Sequence, residues 1–247
     1  MSKRPDLFTS YQKEISIFPN NTQKFWFITL LIASIYVCFI ASDYWLILLT
    51  NALLVSIAAW GLNIVSGLAG QINLAHGVFV GIGTYTSAVL GGVATRSVIG
   101  FELDLIIWLP LSGIAAALIG LIISPIAVRL KGLNLGLVTL AFVFIGAHFF
   151  NNMTFVTGGS GLGRKAAKLN IFGIDFNSGY QIGDILIQKN QILYLISLLV
   201  AVLLGLGVKN LVRSKTGRAF AAIRDRDIAA EALGINLFKF KATALAI

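Results

Sequence analysis

The sequence has little charge and few of the side chains that build catalytic or metal centres. Only 12% of its 247 residues are charged, two are histidine and one is cysteine. Soluble domains average about 25% charged residues, so this composition argues against a water-soluble domain. A single cysteine excludes a disulfide framework, and Cys38 lies in an apolar run where a free thiol acts as a small apolar side chain.

Apolar residues are abundant instead. They make up 57% of the chain, and the mean hydropathy is +0.87. The formal net charge of +9 does not indicate a nucleic-acid partner, because the basic residues cluster between apolar runs and form no continuous basic face. The composition therefore predicts a protein of the lipid bilayer.

Six apolar runs are long enough to cross a bilayer, which needs about 20 residues per helix. We expect an all-α, polytopic helical bundle in a membrane, with about six transmembrane spans plus the start of a seventh. The spans cover approximately residues 25–42, 44–66, 74–94, 105–128, 133–150 and 192–208. The chain then divides into an N-terminal tail (1–24), a transmembrane domain (25–208), a more polar segment (209–241) and an incomplete span (242–247).

The positions of lysine and arginine predict the orientation, because cytoplasmic loops carry the excess of these residues. With the N-terminus inside, 14 of the 19 basic residues fall on the cytoplasmic side. They lie in the N-terminal tail, at Arg129 and Lys131, and between Lys209 and Lys241. Membrane lipid is therefore an expected partner, and the N-terminus is expected in the cytoplasm.

Residues 61–86 are rich in glycine and carry amide side chains at membrane depth. Irregular backbone is tolerated there only where it is buried in protein or lines a wet cavity. We interpret the segment as a broken helix along a solute path, with the break at Gly67 and Gly70. The candidate path residues are Asn63, Gly67, Gly70, Gln71, Asn73, His76 and Thr84. The alternative is that Gln71, Asn73 and His76 only cap one helix and start the next.

His76 could in principle titrate or bind a metal. No carboxylate lies within ten residues of it, and a metal site needs three or four ligands. We therefore expect no metal and no catalytic residue, and a neutral His76 hydrogen-bonded to the loosened backbone. Nothing in the chain matches a nucleotide-binding glycine loop, so no ATPase site and no cofactor are expected in this chain.

The segment 209–241 predicts two short helices outside the membrane. Thr216 is a plausible N-cap for a helix through Arg224, Asp227 is an N-cap for residues 228–233, and Gly234 stops the second helix. The apolar residues of these helices need a surface to pack against. That surface is either the lipid headgroups or a cytoplasmic protein, and the three carboxylates of the segment favour a protein partner.

Three stretches resemble one family, the inner-membrane permease subunits of ABC importers for branched-chain amino acids, and specifically the second of the two related permeases. They are GLNIVSGLAGQINLAHGVFVGIGTYTSAVL, then AVRLKGLNLGLVTLAFVFI with TGGSGL, and finally SKTGRAFAAIRDRDIAAEALGIN. The resemblance runs from about Trp45 to the C-terminus. Family members continue for several more spans, so it also implies that this chain is truncated at its C-terminus.

The resemblance implies a transport subunit without enzymatic activity. Its expected partners are a second homologous permease subunit, two cytoplasmic ATPases that hydrolyse ATP, and a periplasmic binding protein that delivers the solute. Glu231 and Gly234 fall in the loop that seats on the ATPase, and the same segment supplies Arg218, Arg224 and Asp225 as further coupling residues. The solute is a branched-chain or related neutral amino acid. Urea or short-chain amides are the alternative solutes for a permease of the same family. The alternative mechanism is a passive channel or a secondary transporter.

Overall fold

The computed structural model describes residues 17–18, 20–130, 132–159, 163–176, 179–182 and 185–247. Most of the N-terminal tail and Lys131, which entered the prediction of orientation, lie outside the described residues. So do residues 160–162 of the TGGSGL stretch.

Most of the described residues are helical, and only two short hairpins are extended, which confirms the predicted class. The helices are α1 (Asn21–Ile40), α2 (Asp43–Leu62), a π-helical segment (Asn63–Leu68), α3 (His76–Gly91), α4 (Leu105–Arg129), α5 (Gly132–Asn152), α6 (Thr154–Thr157), α7 (Lys189–Arg213), α8 (Lys215–Asp225), α9 (Asp227–Ala232) and α10 (Leu237–Ala246). Two small antiparallel hairpins precede α7. They pair β1 (Asn170–Ile171) with β2 (Ile174–Asp175) and β3 (Tyr180–Ile182) with β4 (Ile185–Ile187).

Among the described residues, five helices rather than six are long and apolar enough to cross a membrane. They are α1, α2 with its π-helical extension, α4, α5 and α7. The span expected over 74–94 is instead the 16-residue helix α3. Its hydropathy suits a span, but residues 69–75 before it are not helical, and Gly92 after it is extended.

The chain divides into two compact units. The first comprises Met1–Trp60 and Asn190–Ala219, and its helices are α1, most of α2 and most of α7. Its core is a small cluster in which Cys38, Leu46, Tyr194 and Leu198 are buried. The Tyr194 hydroxyl donates to the Ser34 carbonyl oxygen at 3.2 Å, which ties α7 to α1. Cys38 is therefore an apolar packing residue, as expected from its surroundings.

The second unit comprises Gly61–Lys189 and Phe220–Ile247. Here α4 packs against both α3 and α10. The contact with α10 needs Gly120, because a Cβ at that position would lie 2.5 Å from the Leu245 carbonyl oxygen. Small residues allow this close approach of helices in membranes. The last helix begins at Leu237, earlier than the start at Ala242 that hydropathy indicated.

Helix α4 contains two internal prolines, Pro110 and Pro125. A proline removes the hydrogen bond from its own nitrogen to the carbonyl four residues earlier, which for Pro125 is that of Leu121. The buried Ser124 hydroxyl donates to this carbonyl at 2.7 Å. The helix therefore continues through Pro125 with that backbone acceptor satisfied.

A basic side chain organises the loops after α3 and α5. Arg164 Nη1 donates to the Val156 carbonyl oxygen at 2.9 Å, and Nη2 donates to the carbonyl oxygen of Ile99. Nearby, Lys168 Nζ lies 2.9 Å from a carboxylate oxygen of Glu102. Partial burial lowers the pKa of Arg164 from its ordinary value. Arginine starts so far above neutrality that the guanidinium stays charged and holds both carbonyls.

Candidate functional site

The candidate site is the interruption between α2 and α3. We call residues 67–70 within it the break. The helix widens into the π-helical segment, in which the carbonyl oxygens of Ile64 and Val65 accept from residues beyond its end. The Ala69 nitrogen donates to the Ile64 oxygen, and the Gln71 nitrogen donates to the Val65 oxygen, both at 3.0 Å. Gly70 then takes a φ of +66°, a backbone conformation that L-residues other than glycine rarely adopt. The break predicted around Gly67 and Gly70 is therefore present.

Arg224, near the end of α8, lies directly on this break. Its Nη1 donates to the Gly67 carbonyl oxygen at 3.1 Å, and its Nε lies 3.3 Å from the Asp225 carboxylate. A Cβ on Gly70 would approach Arg224 Cγ to 2.7 Å and Arg224 Cα to 3.2 Å. Glycine at position 70 is thus required twice, by its φ and by the neighbouring arginine. A predicted path residue and a predicted coupling residue are in direct contact.

Gln71 and Asn73 lie together just after the break and are both buried. Gln71 Nε2 donates weakly to the Lys241 carbonyl oxygen at 3.4 Å, while its Oε1 is buried without a hydrogen-bond partner among the described residues. Asn73 Oδ1 accepts from the Ala75 nitrogen at 3.0 Å, immediately before α3 begins. Asn73 therefore forms a local turn just before α3, and α3 itself has no side-chain cap, so the capping alternative is not confirmed for Asn73.

The other predicted path residues do not join Gln71 and Asn73. Asn63 is exposed, with its side chain lying over Gly67. Thr84 is exposed on α3, and its hydroxyl donates to the Val80 carbonyl of its own helix at 2.8 Å. His76 lies against Gly61, and its buried Nε2 has no hydrogen-bond partner among the described residues. The backbone hydrogen bond expected for His76 is therefore not made through Nε2.

Two adjoining cavities flank the break. One, of about 70 Å³, is almost entirely apolar in surface and lies among α3, α4, α5 and α10. The other, of about 240 Å³, is polar and is lined by the charged residues at the junction of α8 and α9 together with Lys241. Gln71 and Leu135 border both cavities. The break thus separates an apolar space from a charged one.

The two short helices predicted outside the membrane are present as α8 and α9. The cap of α8 is Ser214 rather than Thr216, because its hydroxyl oxygen accepts from the Gly217 nitrogen at 3.3 Å. Asp227 is the first residue of α9 instead of its cap, and its carboxylate accepts from the Ile228 nitrogen at 2.9 Å. Gly234 ends α9 with a φ of +83°, as expected for a helix stop.

The apolar residues of these helices separate into an inner and an outer set. Phe220 and Ile223 are buried, and the Phe220 ring meets the Phe240 ring edge to face at a centroid distance of 6.4 Å. Ile228 and Leu233 are 76% and 81% exposed. Both residues lie outside the five candidate spans. Ile228 is on α9 and Leu233 directly follows it, and α9 also carries the exposed Glu231. None of the described residues covers this outer apolar surface.

Sequence reasoning missed one buried charge. Lys241 is buried on α10, and its Nζ lies 3.9 Å from an Asp227 carboxylate oxygen. An N-cap signal could have placed α10 correctly, since Asn236 Oδ1 accepts from the Lys239 nitrogen at 2.9 Å. In the part of the chain that the structure describes, no group of three or more histidine, cysteine or acidic side chains could hold a metal.

Comparison with known proteins gives a consistent result. Residues 44–247 match the family model described as branched-chain amino acid transport system, permease component. Two curated proteins, from Salmonella typhimurium strain LT2 and Escherichia coli strain K12, are each 31% identical over 237 residues. Both are called high-affinity branched-chain amino acid transport system permease protein LivM. The match covers 91% of this chain and 54% of each relative, so the chain spans about half their length. No solved structure matches the chain.

Proposed function

This chain belongs to the branched-chain amino acid permease family, and we propose that it is the membrane-spanning permease subunit of an ATP-driven importer. The proposed solute is a branched-chain or related neutral amino acid. The proposed partners are a second permease subunit, two cytoplasmic ATPases and a periplasmic binding protein. The proposed location is the inner membrane, with the N-terminus in the cytoplasm.

The contact of Arg224 with Gly67 and Gly70 carries this proposal. Transport driven by a separate ATPase needs a mechanical link between the surface that touches the ATPase and the part of the membrane domain that changes shape. Arg224 is hydrogen-bonded to the backbone of the break and belongs to α8. A displacement of α8 would therefore act directly on the irregular backbone, where fewer regular helical hydrogen bonds resist a change.

The exposed surface of α9 supports the docking of a cytoplasmic protein. Ile228 and Leu233 present uncovered apolar area beside the Glu231 carboxylate. An apolar centre with a charged residue next to it suits a groove on a folded partner, where burial of apolar area provides affinity and the charge fixes the orientation. We assign Glu231 and Gly234 to this docking turn, with Arg218, Arg224 and Asp225 on the helix before it.

The mechanism that follows contains no covalent chemistry in this chain. ATP binding would bring the two ATPases together and move α9 and α8 with them. Arg224 would transmit the movement to residues 67–70, and the helices on either side of the break would change their relative tilt. No aspartate, glutamate, lysine or arginine occurs in residues 61–86, so a solute passing this segment meets amides, hydroxyls and backbone dipoles. Such a lining suits a solute without net charge.

The experiment that tests the proposal measures binding of the purified chain to its cognate ATPases and its effect on their activity. Glu231→Lys is expected to abolish binding while leaving the helical content and the thermal unfolding of the chain unchanged. Asp43→Lys is the matched control, because it makes the same charge change on an exposed aspartate at the start of α2. It should bind like the wild type.

Stimulation of ATP hydrolysis by a leucine-loaded binding protein, in the complete reconstituted importer, then separates coupled import from a passive channel. Uptake of leucine that needs neither ATP nor the binding protein would refute the importer. Binding retained in Glu231→Lys would refute the assignment of α9 as the docking surface.

A further inference from the structure

A groove in the first unit runs along α1, α2 and α7 and is open on one side. Its volume is about 480 Å³, and its walls are mostly aliphatic and aromatic. Its lining includes Phe27, Leu30, Leu53, Trp60, Leu198 and Leu206. Gly205 gives the Trp60 ring its room, because a Cβ there would lie 3.0 Å from the ring.

The few hydroxyl groups in the groove are already engaged by the protein. Ser34 donates to the Leu30 carbonyl oxygen at 2.9 Å, and Ser56 donates to that of Ala52 at 2.7 Å. Tyr194 donates to the Ser34 carbonyl oxygen. An occupant of this part of the groove therefore finds hydrocarbon and no polar group in need of a partner. A hydrocarbon chain satisfies that condition, and the polar face of an amphipathic helix does not.

One end of the groove is basic. Lys209 lines it, with its Nζ 4.1 Å from the centroid of the Phe18 ring. Arg213 lies one helical turn further along α7, just beyond the residues that line the groove, and its buried Nη1 has no hydrogen-bond partner among the described residues. Within the same described part of the chain, neither cation forms an ion pair with a carboxylate. The end of the groove thus offers positive charge to an anion.

We propose that this groove binds an anionic phospholipid, with one acyl chain along the aliphatic walls and the phosphate at Lys209 and Arg213. In the orientation predicted from the basic residues, this end of α7 lies at the cytoplasmic leaflet, where anionic lipids and basic pockets between helices meet. Charge complementarity at one end and hydrocarbon elsewhere match a phospholipid along its whole length.

The test is native mass spectrometry of the detergent-purified chain titrated with palmitoyl-oleoyl phosphatidylglycerol or with phosphatidylcholine of the same acyl chains. The wild type should bind phosphatidylglycerol more tightly. Lys209→Gln should weaken that binding about fivefold, from the roughly 1 kcal/mol that one basic residue contributes at an anionic membrane surface, and should leave phosphatidylcholine binding unchanged. Arg213→Gln should have the same effect.

Two further variants separate the two halves of the site. Ala52→Phe adds a ring at an exposed groove position and should weaken binding of both lipids. Lys189→Gln removes a cation from the opposite end of α7 and should change neither. Equal binding of the two lipids by the wild type would overturn the proposal, as would an equal loss in Lys189→Gln and Lys209→Gln. A chain that stays a lipid-free dimer on adding phosphatidylglycerol would also overturn the proposal.

Discussion

Replacing Gly70 by alanine tests the contact between the break and α8 most directly. The substitution adds one methyl group where φ is +66° and where Arg224 Cγ would lie 2.7 Å away. The Arg224 side chain can rotate away, but its Cα, 3.2 Å from the added atom, is backbone and moves only with the helix. The change therefore strains the local backbone and pushes α8 off the break.

The two effects differ in size. An L-residue held in the left-handed region costs roughly 1–2 kcal/mol relative to glycine. Displacing Arg224 also loses its hydrogen bond to the Gly67 carbonyl and the packing around it, about 1 kcal/mol more, a figure kept small because Arg224 is exposed to solvent. We expect Gly70→Ala to lower stability by about 2–3 kcal/mol. For a chain of this size, that corresponds to a fall in the melting temperature of roughly 4–12 °C.

Two other glycines provide matched controls for thermal unfolding in detergent, followed by circular dichroism. Gly132 has a φ of +55° and no atom within 4 Å of an added Cβ, so Gly132→Ala carries the backbone strain alone. Gly77 has neither a positive φ nor a neighbour in that range, and Gly77→Ala should be neutral or slightly stabilising, because alanine favours the helix. Melting temperatures should fall in the order Gly77→Ala, Gly132→Ala, Gly70→Ala. If Gly70→Ala and Gly132→Ala melt together, Arg224 does not press on the break and the reasoning fails.

Three further predictions concern other surfaces. Arg164→Gln should lower the melting temperature measurably, because the carbonyl oxygens of Val156 and Ile99 lose a charged donor, a cost of about 1.5–3 kcal/mol. Lys165→Gln, at an exposed position, should not lower it. Equal melting temperatures of the two variants would contradict the role of Arg164 in holding these segments together. Cysteine introduced at Glu231 should react with a membrane-impermeant maleimide only in inside-out vesicles, and cysteine at Lys165 only in right-side-out vesicles. The native Cys38 should not react, because it is fully buried. The reverse pattern would contradict the predicted orientation of the chain in the membrane. Leu233→Ser should weaken binding of the cognate ATPases at least tenfold. It should not lower the melting temperature, since the side chain is 81% exposed. Unchanged affinity would show that Leu233 does not belong to the docking surface.

Hydropathy located the long helices well because a bilayer imposes one strong condition, an apolar run of sufficient length. At residues 74–94 it misplaced the ends of the helix, because hydropathy does not report where helical hydrogen bonding stops. Residues 69–75 form a non-helical connection, and α3 begins only at His76. Gly70 indicated the break correctly, because a backbone with a positive φ favours glycine. The predicted start of the last helix was five residues too late, because two lysines lower the hydropathy of its first half. One of them, Lys241, is buried.

The candidate site was predictable in its parts and not in its arrangement. Composition singled out Gly70, and local helix signals singled out the segment containing Arg224, but 157 residues separate Arg224 from the Gly67 carbonyl that it contacts. No local pattern encodes a contact over that distance. The candidate path residues from 61–86 likewise do not form one cluster, because Asn73 and Thr84 bond to nearby backbone while Gln71 donates to the Lys241 carbonyl oxygen, 170 residues away. Asn73 turned to Ala75, and Thr84 to its own helix.

The hydroxyl of Ser124 illustrates how hydropathy and stability can oppose each other at a single position. Every hydropathy scale counts this serine as a flaw in an otherwise apolar span, and alanine there would raise the score of α4. Yet the serine is 1% exposed, and its one hydrogen bond serves the carbonyl that Pro125 leaves unpaired. Removing the hydroxyl would leave a bare backbone oxygen inside the hydrocarbon layer, where no water can reach it. Ser124 and Pro125 therefore act together in the structure of α4, and substituting either residue changes what the other contributes.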